Sequence, residues 1–416
     1  MTLTGYVDNP EARQALHHRT LSVVMASQVF SGAGLAAGVT VGALLAEQML
    51  GAGALSGLPA ALYTGGSAVA ALTVGRLSQR LGRRAGLSAG YAAGALGGAG
   101  VVAAAALDNV ALLLISLLGY GAGTATNLQA RYAGADLSGP SRRGRAVSSV
   151  LVTTSVGAVI GPNLVATTGR MAGHFGLPAL AGPFALATIA YAVAGIMLFL
   201  LLRPDPLQVS RALRAHASPA AAATGAPRAR PVSAGVTAGA ATMILTQLVM
   251  VAVMTMTPVH MRAHGHDLAA TGLVISLHIA AMYLPSLVTG ILVDRIGRVP
   301  VALASGVTLL AAGIVSAIAP DGSVPLLALA LILLGLGWNL GLVSGTAMIT
   351  DAAPVERRAK IQGNVDLCIA LAGAGGGIAS GLVMTATSYA ALAITGGLLA
   401  LAVIPFVVVR TRRAGA

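Results

Sequence analysis

The sequence predicts an all-α polytopic membrane protein, with twelve transmembrane helices in two pseudo-symmetric six-helix bundles. Three observations carry that prediction: a composition that water cannot solvate, positive charge gathered into alternate loops, and an internal repeat. Of 416 residues, 56% are hydrophobic and 9% are charged, and the mean hydropathy is +0.84. A soluble domain needs a charged skin that this chain lacks. Apolar stretches of about 20 residues recur, each able to cross a hydrocarbon layer roughly 30 Å thick as a helix. The 54 glycines would weaken helices in water, but in lipid they let backbones approach where no hydrophobic force drives association. Gly86, Gly90, Gly94 and Gly98 form one such stripe.

In chain order, spans are expected near 21–46, 55–78, 86–107, 110–134, 146–169, 180–202, 234–257, 268–292, 299–319, 324–349, 361–385 and 388–409. The organisation that follows is a cytoplasmic tail (1–20), a first six-helix bundle (21–202), a cytoplasmic linker (203–233), a second bundle (234–409) and a second tail (410–416). With the N-terminus inside, 23 of the 25 Lys and Arg residues fall on the cytoplasmic side, and only Arg170 and Arg262 fall outside. One missed helix would invert every later loop, so the charges test the span count and place both termini in the cytoplasm. The net charge of +13 then reflects orientation against anionic headgroups, and no nucleic-acid partner is needed.

The first tail is polar and lacks the basic start and small-residue cleavage site of a secretory signal. Arg203 to Pro231 is rich in Ala, Pro and Arg, with too little hydrophobic patterning to fold alone. Cys368 is the single cysteine, which excludes an intramolecular disulfide and a cysteine-based metal site. Arg outnumbers Lys 24 to 1 beside abundant Ala and Gly, a composition that points to a GC-rich bacterial source and hence the plasma membrane.

Gly75, Arg80 and Gly82 recur as Gly290, Arg295 and Gly297, a shift of 215 positions. The same shift carries Asp136, Arg142, Arg143 and Arg145 onto Asp351, Arg357, Arg358 and Lys360, and Gly161 onto Gly376. Signatures two helices apart keep one spacing, so the halves read as copies.

The loop from Gly75 to Arg84 reads Gly-Arg-Leu-Ser-Gln-Arg-Leu-Gly-Arg-Arg, and that from Gly290 to Arg298 reads Gly-Ile-Leu-Val-Asp-Arg-Ile-Gly-Arg. Two copies in matching loops resemble the cytoplasmic motif of the major facilitator superfamily, over the whole chain apart from tails and linker. The resemblance implies a secondary transporter working by alternating access, with the motif (Gly75, Gln79, Arg80, Gly82, Arg83, Arg84 and Gly290, Asp294, Arg295, Gly297, Arg298) as a latch favouring the outward-open state. In such a latch Gly gives a tight helix-to-turn transition and the acid faces a helix N-terminus while pairing with a nearby Arg. The first copy departs from the pattern, with Gln79 where the acid is expected; Asp294 keeps it in the second. The bland alternative is that these arginines only enforce topology. In the fifth span, Gly157, Gly161 and Pro162 are similar to a Gly-Pro motif of the superfamily's proton-coupled exporters, although Val165 and Ala166 replace the expected later glycines. An ordinary kinked packing helix is the alternative there.

Proton coupling needs a protonatable group inside the membrane, and the candidates are Asp366 in the eleventh span and His278 in the eighth. Glu47, at the outer end of the first span, is expected to be solvated. Asp366 could instead be a carboxylate settled near a helix N-terminus by Arg357, Arg358 or Lys360, and His278 a neutral histidine bonded to a neighbouring helix. Substrate-cavity candidates are Gln28, Asn127, Gln247, Met250, Met254, Met282, Tyr283, Trp338, Asn339 and Asn364; each amide could equally be interhelical glue. No cofactor and no metal are expected, since the spacing of His260, His264, His266 and Asp267 fits no zinc pattern. The overall expectation is a monomeric proton-coupled exporter of small amphipathic or drug-like compounds. Uptake symport of a small metabolite, and a non-transporting membrane sensor or lipid-handling protein, are the alternatives.

Overall fold

A computed structural model describes residues 5–50, 58–217, 233–320, 323–405 and 407, and among them the chain is nearly all helix, without a strand. The first elements are a single turn α1 (Gly5–Asp8), then α2 (Pro10–Leu50), α3 (Leu58–Leu81), α4 (Arg83–Ala106), α5 (Val110–Ala135), α6 (Arg143–Asn163), α7 (Val165–His174), α8 (Gly182–Leu201) and α9 (Pro206–Ala217). After the linker come α10 (Ala234–Ala263), α11 (Leu268–Tyr283), α12 (Ser286–Arg295), α13 (Arg298–Ile318), α14 (Val324–Ala352), α15 (Arg358–Ala386) and α16 (Tyr389–Ala400). Nine helices among the described residues are long and apolar enough to cross a bilayer, and Tyr389–Pro405 is a shorter apolar one. The remaining expected spans fall on α2 and on α6 with α7. Proline explains two interruptions, because it offers no N–H to the preceding turn: α6 ends just after Pro162, and α11 passes to α12 through Leu284 and Pro285.

The chain divides into two compact units. The first comprises Met1–Ser138, Thr153–Arg228 and Pro354–Ala370; the second comprises Gly139–Val152, Ala229–Ala353 and Leu371–Ala416. Each unit therefore includes the first turns of a helix, α15 or α6, whose remainder lies in the other.

Within the first unit the glycine stripe of α4 packs as its spacing predicts. A Cβ at Gly86 would meet Ser78, at Gly90 Thr126 and Val74, at Gly94 Gly123, and at Gly98 Thr188, so α3, α5 and α8 all close on one helix through missing side chains. Around them lie the fully buried rings of Tyr91, Tyr120, Tyr191 and Phe184, with Tyr91 stacked on Tyr191 at 5.8 Å and Tyr120 edge-on to Phe184 at 5.3 Å. In the second unit Ala238, Ala302, Met348, Val403 and Val407 form an apolar cluster, and a Cβ at Gly239 would meet Gly345.

The linker departs from its sequence reading, because its first part folds as α9. Asp205 supplies the start signal by accepting N–H bonds from Leu207 at 3.0 Å and Gln208 at 3.2 Å. Leu207 and Val209 are fully buried, Leu207 against Val355 and Ala359. Apolar burial supplied by α15 replaces the patterning that a self-contained helix would need.

The 215-position repeat extends to single dihedral angles. Gly82 and Gly297 precede α4 and α13 with the same φ of +99°, a conformation in which a Cβ collides with the backbone. At Gly82 a Cβ would also overlap the Asp205 carboxyl, whereas at Gly297 it meets only Pro300 at 3.7 Å. Gly297→Ala is expected to destabilise by the backbone strain alone, roughly 1–2 kcal/mol, and Gly82→Ala by more. Thermal unfolding in detergent checks this; equal losses would contradict it.

Candidate functional site

Two arginine–aspartate–arginine triads occupy repeat-related positions. In the first unit Arg83 Nε donates to Asp136 Oδ2 at 2.7 Å with both side chains fully buried, and Arg358 Nη1 lies 3.8 Å from Asp136 Oδ1. In the second, Arg298 Nε meets Asp351 Oδ2 at 2.8 Å, and Arg143 Nη1 reaches Asp351 Oδ1. Shifting Arg83, Asp136 and Arg143 by 215 gives Arg298, Asp351 and Arg358. Each aspartate thus takes one arginine from its own half of the sequence and one from the other half. The environments differ: Arg298 and Asp351 keep 20% and 30% of their side-chain exposure, while Arg83 and Asp136 are dry, so the first pair is little screened by solvent. Arg83 also donates to Gln362 Oε1.

The two motif copies lie beside these triads. In the second unit Asp294 caps α6, accepting N–H bonds from Gly144 at 2.8 Å and Arg145 at 3.0 Å and pairing with Arg145 Nε at 3.2 Å. Negative charge is favourable there because the first N–H groups of a helix have no partner in it. Gly290 lies where a Cβ would strike Ser148 and the Gly144 carbonyl. In the first unit Gln79 takes the position of Asp294. Its Oε1 accepts from Lys360 N at 3.2 Å, its Nε2 donates to the Glu356 carbonyl, and Gly75 packs on Gly363. Copy one therefore keeps the backbone contact of a helix cap without the charge.

Asp366 is two helical turns into α15 and buried. Its Oδ1 accepts from Arg131 Nη2 at 2.7 Å and from Tyr132 Oη at 3.2 Å, while its Oδ2 has no hydrogen-bond partner among the described residues. Charge counting treats Arg131 as one more cytoplasmic cation; it is fully buried within α5, its guanidinium 4.1 Å from the Tyr132 ring centre. Arg357, Arg358 and Lys360 are not the partners. His278 is fully buried in the second unit, with Nδ1 2.8 Å from the Leu331 carbonyl and Nε2 without a partner among the described residues. The side chains of Glu47 and Pro162 lie outside what is described; Gly157 packs on Val29 and Ala33.

The cavity candidates separate by their partners. Gln28 is fully buried and saturated, donating to the Asn127 carbonyl and Thr154 Oγ1 at 3.0 Å each and accepting from Tyr91 Oη at 2.6 Å. Asn127 donates to Ser31 at 2.7 Å. Asn339 is likewise consumed, bonding Thr289, Ser286 and the Met282 carbonyl. These amides join helices. By contrast Gln247 and Tyr283 are half-buried around Trp338, whose Nε1 donates to Gln247 Oε1 at 2.7 Å and whose ring meets Tyr283 edge-on at 5.9 Å. Met254 is half-buried, Met250 and Met282 are buried, and Asn364 is exposed. Gln247, Tyr283 and Trp338 thus form a polar-tipped aromatic group on α10, α11 and α14.

Sequence reasoning missed Asp205, which lies past the membrane end of α8. Burial pushes its carboxyl above the usual range, opposed by N–H donors including Arg84 N at 2.7 Å.

Comparison with known proteins gives one answer. The Major Facilitator Superfamily family model matches residues 20–284 and 240–416. The chain is 58% identical over 409 residues to the uncharacterized MFS-type transporter YdeG of Bacillus subtilis (strain 168), covering 98% of this chain and 95% of that protein. It is 33% identical over 276 residues, 64% of this chain and 65% of the relative, to the riboflavin transporter RfnT of Brucella anthropi. Among solved structures, the human organic anion transporter MFSD10 (TETRAN) superposes with a TM-score of 0.76 at 17% identity, over 94% of this chain and 99% of that one, a likeness of fold.

The Arg131–Asp366 geometry yields a stability test. Breaking a buried pair strands a charge at a cost of about 3–5 kcal/mol, whereas replacing both partners with apolar groups is close to neutral. Arg131→Met is expected to lower the unfolding temperature sharply, and Arg131→Met with Asp366→Leu to recover most of the loss. Additive losses in a thermal-shift assay would show that the pair is not coupled.

Proposed function

We propose that this chain, which belongs to the major facilitator superfamily, exports small amphipathic or drug-like compounds from a bacterial cytoplasm in exchange for protons. Membership makes it a membrane transporter and not an enzyme; the direction, the coupling ion and the solute class are our reading. It works as a monomer in the plasma membrane with both termini cytoplasmic, and bundles 21–202 and 234–409 rock about a midplane site.

The observation that carries the reading is Asp366. An ionised carboxylate in the membrane interior is costly unless paired, and here Oδ1 takes both Arg131 and Tyr132 while Oδ2 has no hydrogen-bond partner among the described residues. A proton arriving at Oδ2 neutralises the group and weakens its hold on Arg131, so proton binding and release of the α5–α15 tie are one event. Solute binding at Gln247, Trp338 and Tyr283 favours the opposite state, and the coupling between the sites is reciprocal. His278 is the second protonatable group, and its Nε2 is available to take a proton. The motif copies and the triads form the cytoplasmic gate, because every one of those contacts must part before solute passes between α3 and α15 or between α6 and α12. Export is favoured over uptake by Gly157, Gly161 and Pro162 in the fifth span. The relative named for riboflavin places riboflavin among the first solutes to try.

Proteoliposomes with an imposed pH gradient test this, using riboflavin and the cationic dye ethidium as probes. The native chain is expected to move solute against the proton flow, and Asp366→Asn to lose uphill movement while retaining downhill exchange. Full gradient-driven transport by Asp366→Asn would remove the residue from coupling, and movement with the protons would assign uptake.

A further inference from the structure

We propose that α9 is a cytoplasmic strap that supplies, for the first motif copy, the closing force that its missing acid would have provided. The inference rests on the gate reading above and adds the residues that hold one half of it. The repeat isolates the difference. Asp294 presents charge to the start of α6, whereas Gln79 presents a neutral amide to the start of α15. A neutral cap is weaker than a charged one at a helix N-terminus. Gly75, Leu77, Arg80, Gly82 and Arg83 recur as Gly290, Leu292, Arg295, Gly297 and Arg298, so the loss of the acid leaves the helix cap of the first copy weaker than that of the second.

The support comes from α9 (Pro206–Ala217), the helix that follows the first six spans. One carboxylate joins two helices: Asp205 Oδ2 accepts from Arg84 N at the start of α4, and Oδ1 accepts from Leu207 N and Gln208 N at the start of α9. From there α9 runs under the motif loop. Gln208 Nε2 donates to the Leu81 carbonyl at 3.1 Å, and Arg211 Nη2 donates to the carbonyl of Gln79 itself at 2.5 Å. On its other side it grips the approach to α15, with Leu207 buried against Val355 and Ala359 and Arg214 Nε 3.9 Å from Glu356 Oε1. That last pair is exposed and contributes little. The strap therefore holds the loop of residues 79–84 and the segment 355–359 together, where Gln79 supplies only a neutral cap. Asp205 and Arg211 are positioning residues: they act on the gate through α9 and touch no solute.

The test is reaction of Val355→Cys, in a Cys368→Ser background, with a membrane-impermeant maleimide applied from the cytoplasmic side. Val355 is 1% exposed beneath Leu207, so labelling reports lifting of the strap. Asp205→Ala and, separately, Arg211→Gln are expected to raise the labelling rate about tenfold, the equivalent of one charge-assisted bond. Gln79→Asp added to either is expected to restore slow labelling by giving copy one the charge that Asp294 gives copy two. Unchanged labelling in the strap variants, or failure of Gln79→Asp to slow it, overturns the proposal. Asp294→Asn, with Ser148→Cys as the reporter, tests the gate reading separately: fast labelling there with no response to the strap variants rejects the strap alone, and no response in either place rejects both. Should Asp205→Ala fail to fold, hydrogen exchange on the native chain decides: peptides covering 79–84, 206–212 and 355–359 must open with one rate, and free exchange of 206–212 alone contradicts the strap.

Discussion

A guanidinium carried out of water must meet a carboxylate, and that requirement organises the first unit. Arg83 and Arg131 are among the largest fully buried side chains, and each can be there only because Asp136 or Asp366 is positioned to receive it. The partners lie on different helices, so the charge requirement fixes which helices meet and at what height. Glycine contacts then set the distance: Gly75 on Gly363 and Gly290 on Ser148 bring backbones close enough for the caps at Gln79 and Asp294 to reach.

Buried pairs of this kind are poor sources of net stability, because desolvation offsets most of the attraction. They are suited to switching. Removing or neutralising a single partner changes the balance by several kcal/mol, enough to shift a two-state equilibrium almost completely. A transporter needs contacts that are strong when intact and that one proton or one solute can release. The crossed arrangement, in which Asp136 takes Arg358 and Asp351 takes Arg143, means that each triad joins residues contributed by both halves of the sequence.

Much of this was legible before any coordinates. The 215-position shift named Gly82 with Gly297 and Asp136 with Asp351, and the structure repeats their dihedrals and ion pairs. The glycine stripe of α4 was readable for the same reason, since spacing alone decides which face is bare. Three features were not legible. Arg131 was counted with the loop cations because charge counting cannot tell a headgroup-facing arginine from one turned toward a carboxylate 235 positions away. Gln28, Asn127 and Asn339 read as possible solute contacts because an amide's sequence neighbours do not reveal whether its bonds are already used. The helix α9 was hidden because its stability comes from Val355 and Ala359, far along the chain, and from Asp205, whose capping role depends on Arg84 being opposite.

The central claim is that Asp136, paired with Arg83 and facing Arg358, ties the motif loop to the start of α15. Spin labels at the exposed positions Arg80 and Arg357 measure that separation directly. A single short distance is expected in the native chain at neutral pH, with a longer population appearing when Asp136 is replaced by Asn. An unchanged distance distribution in Asp136→Asn would contradict the account.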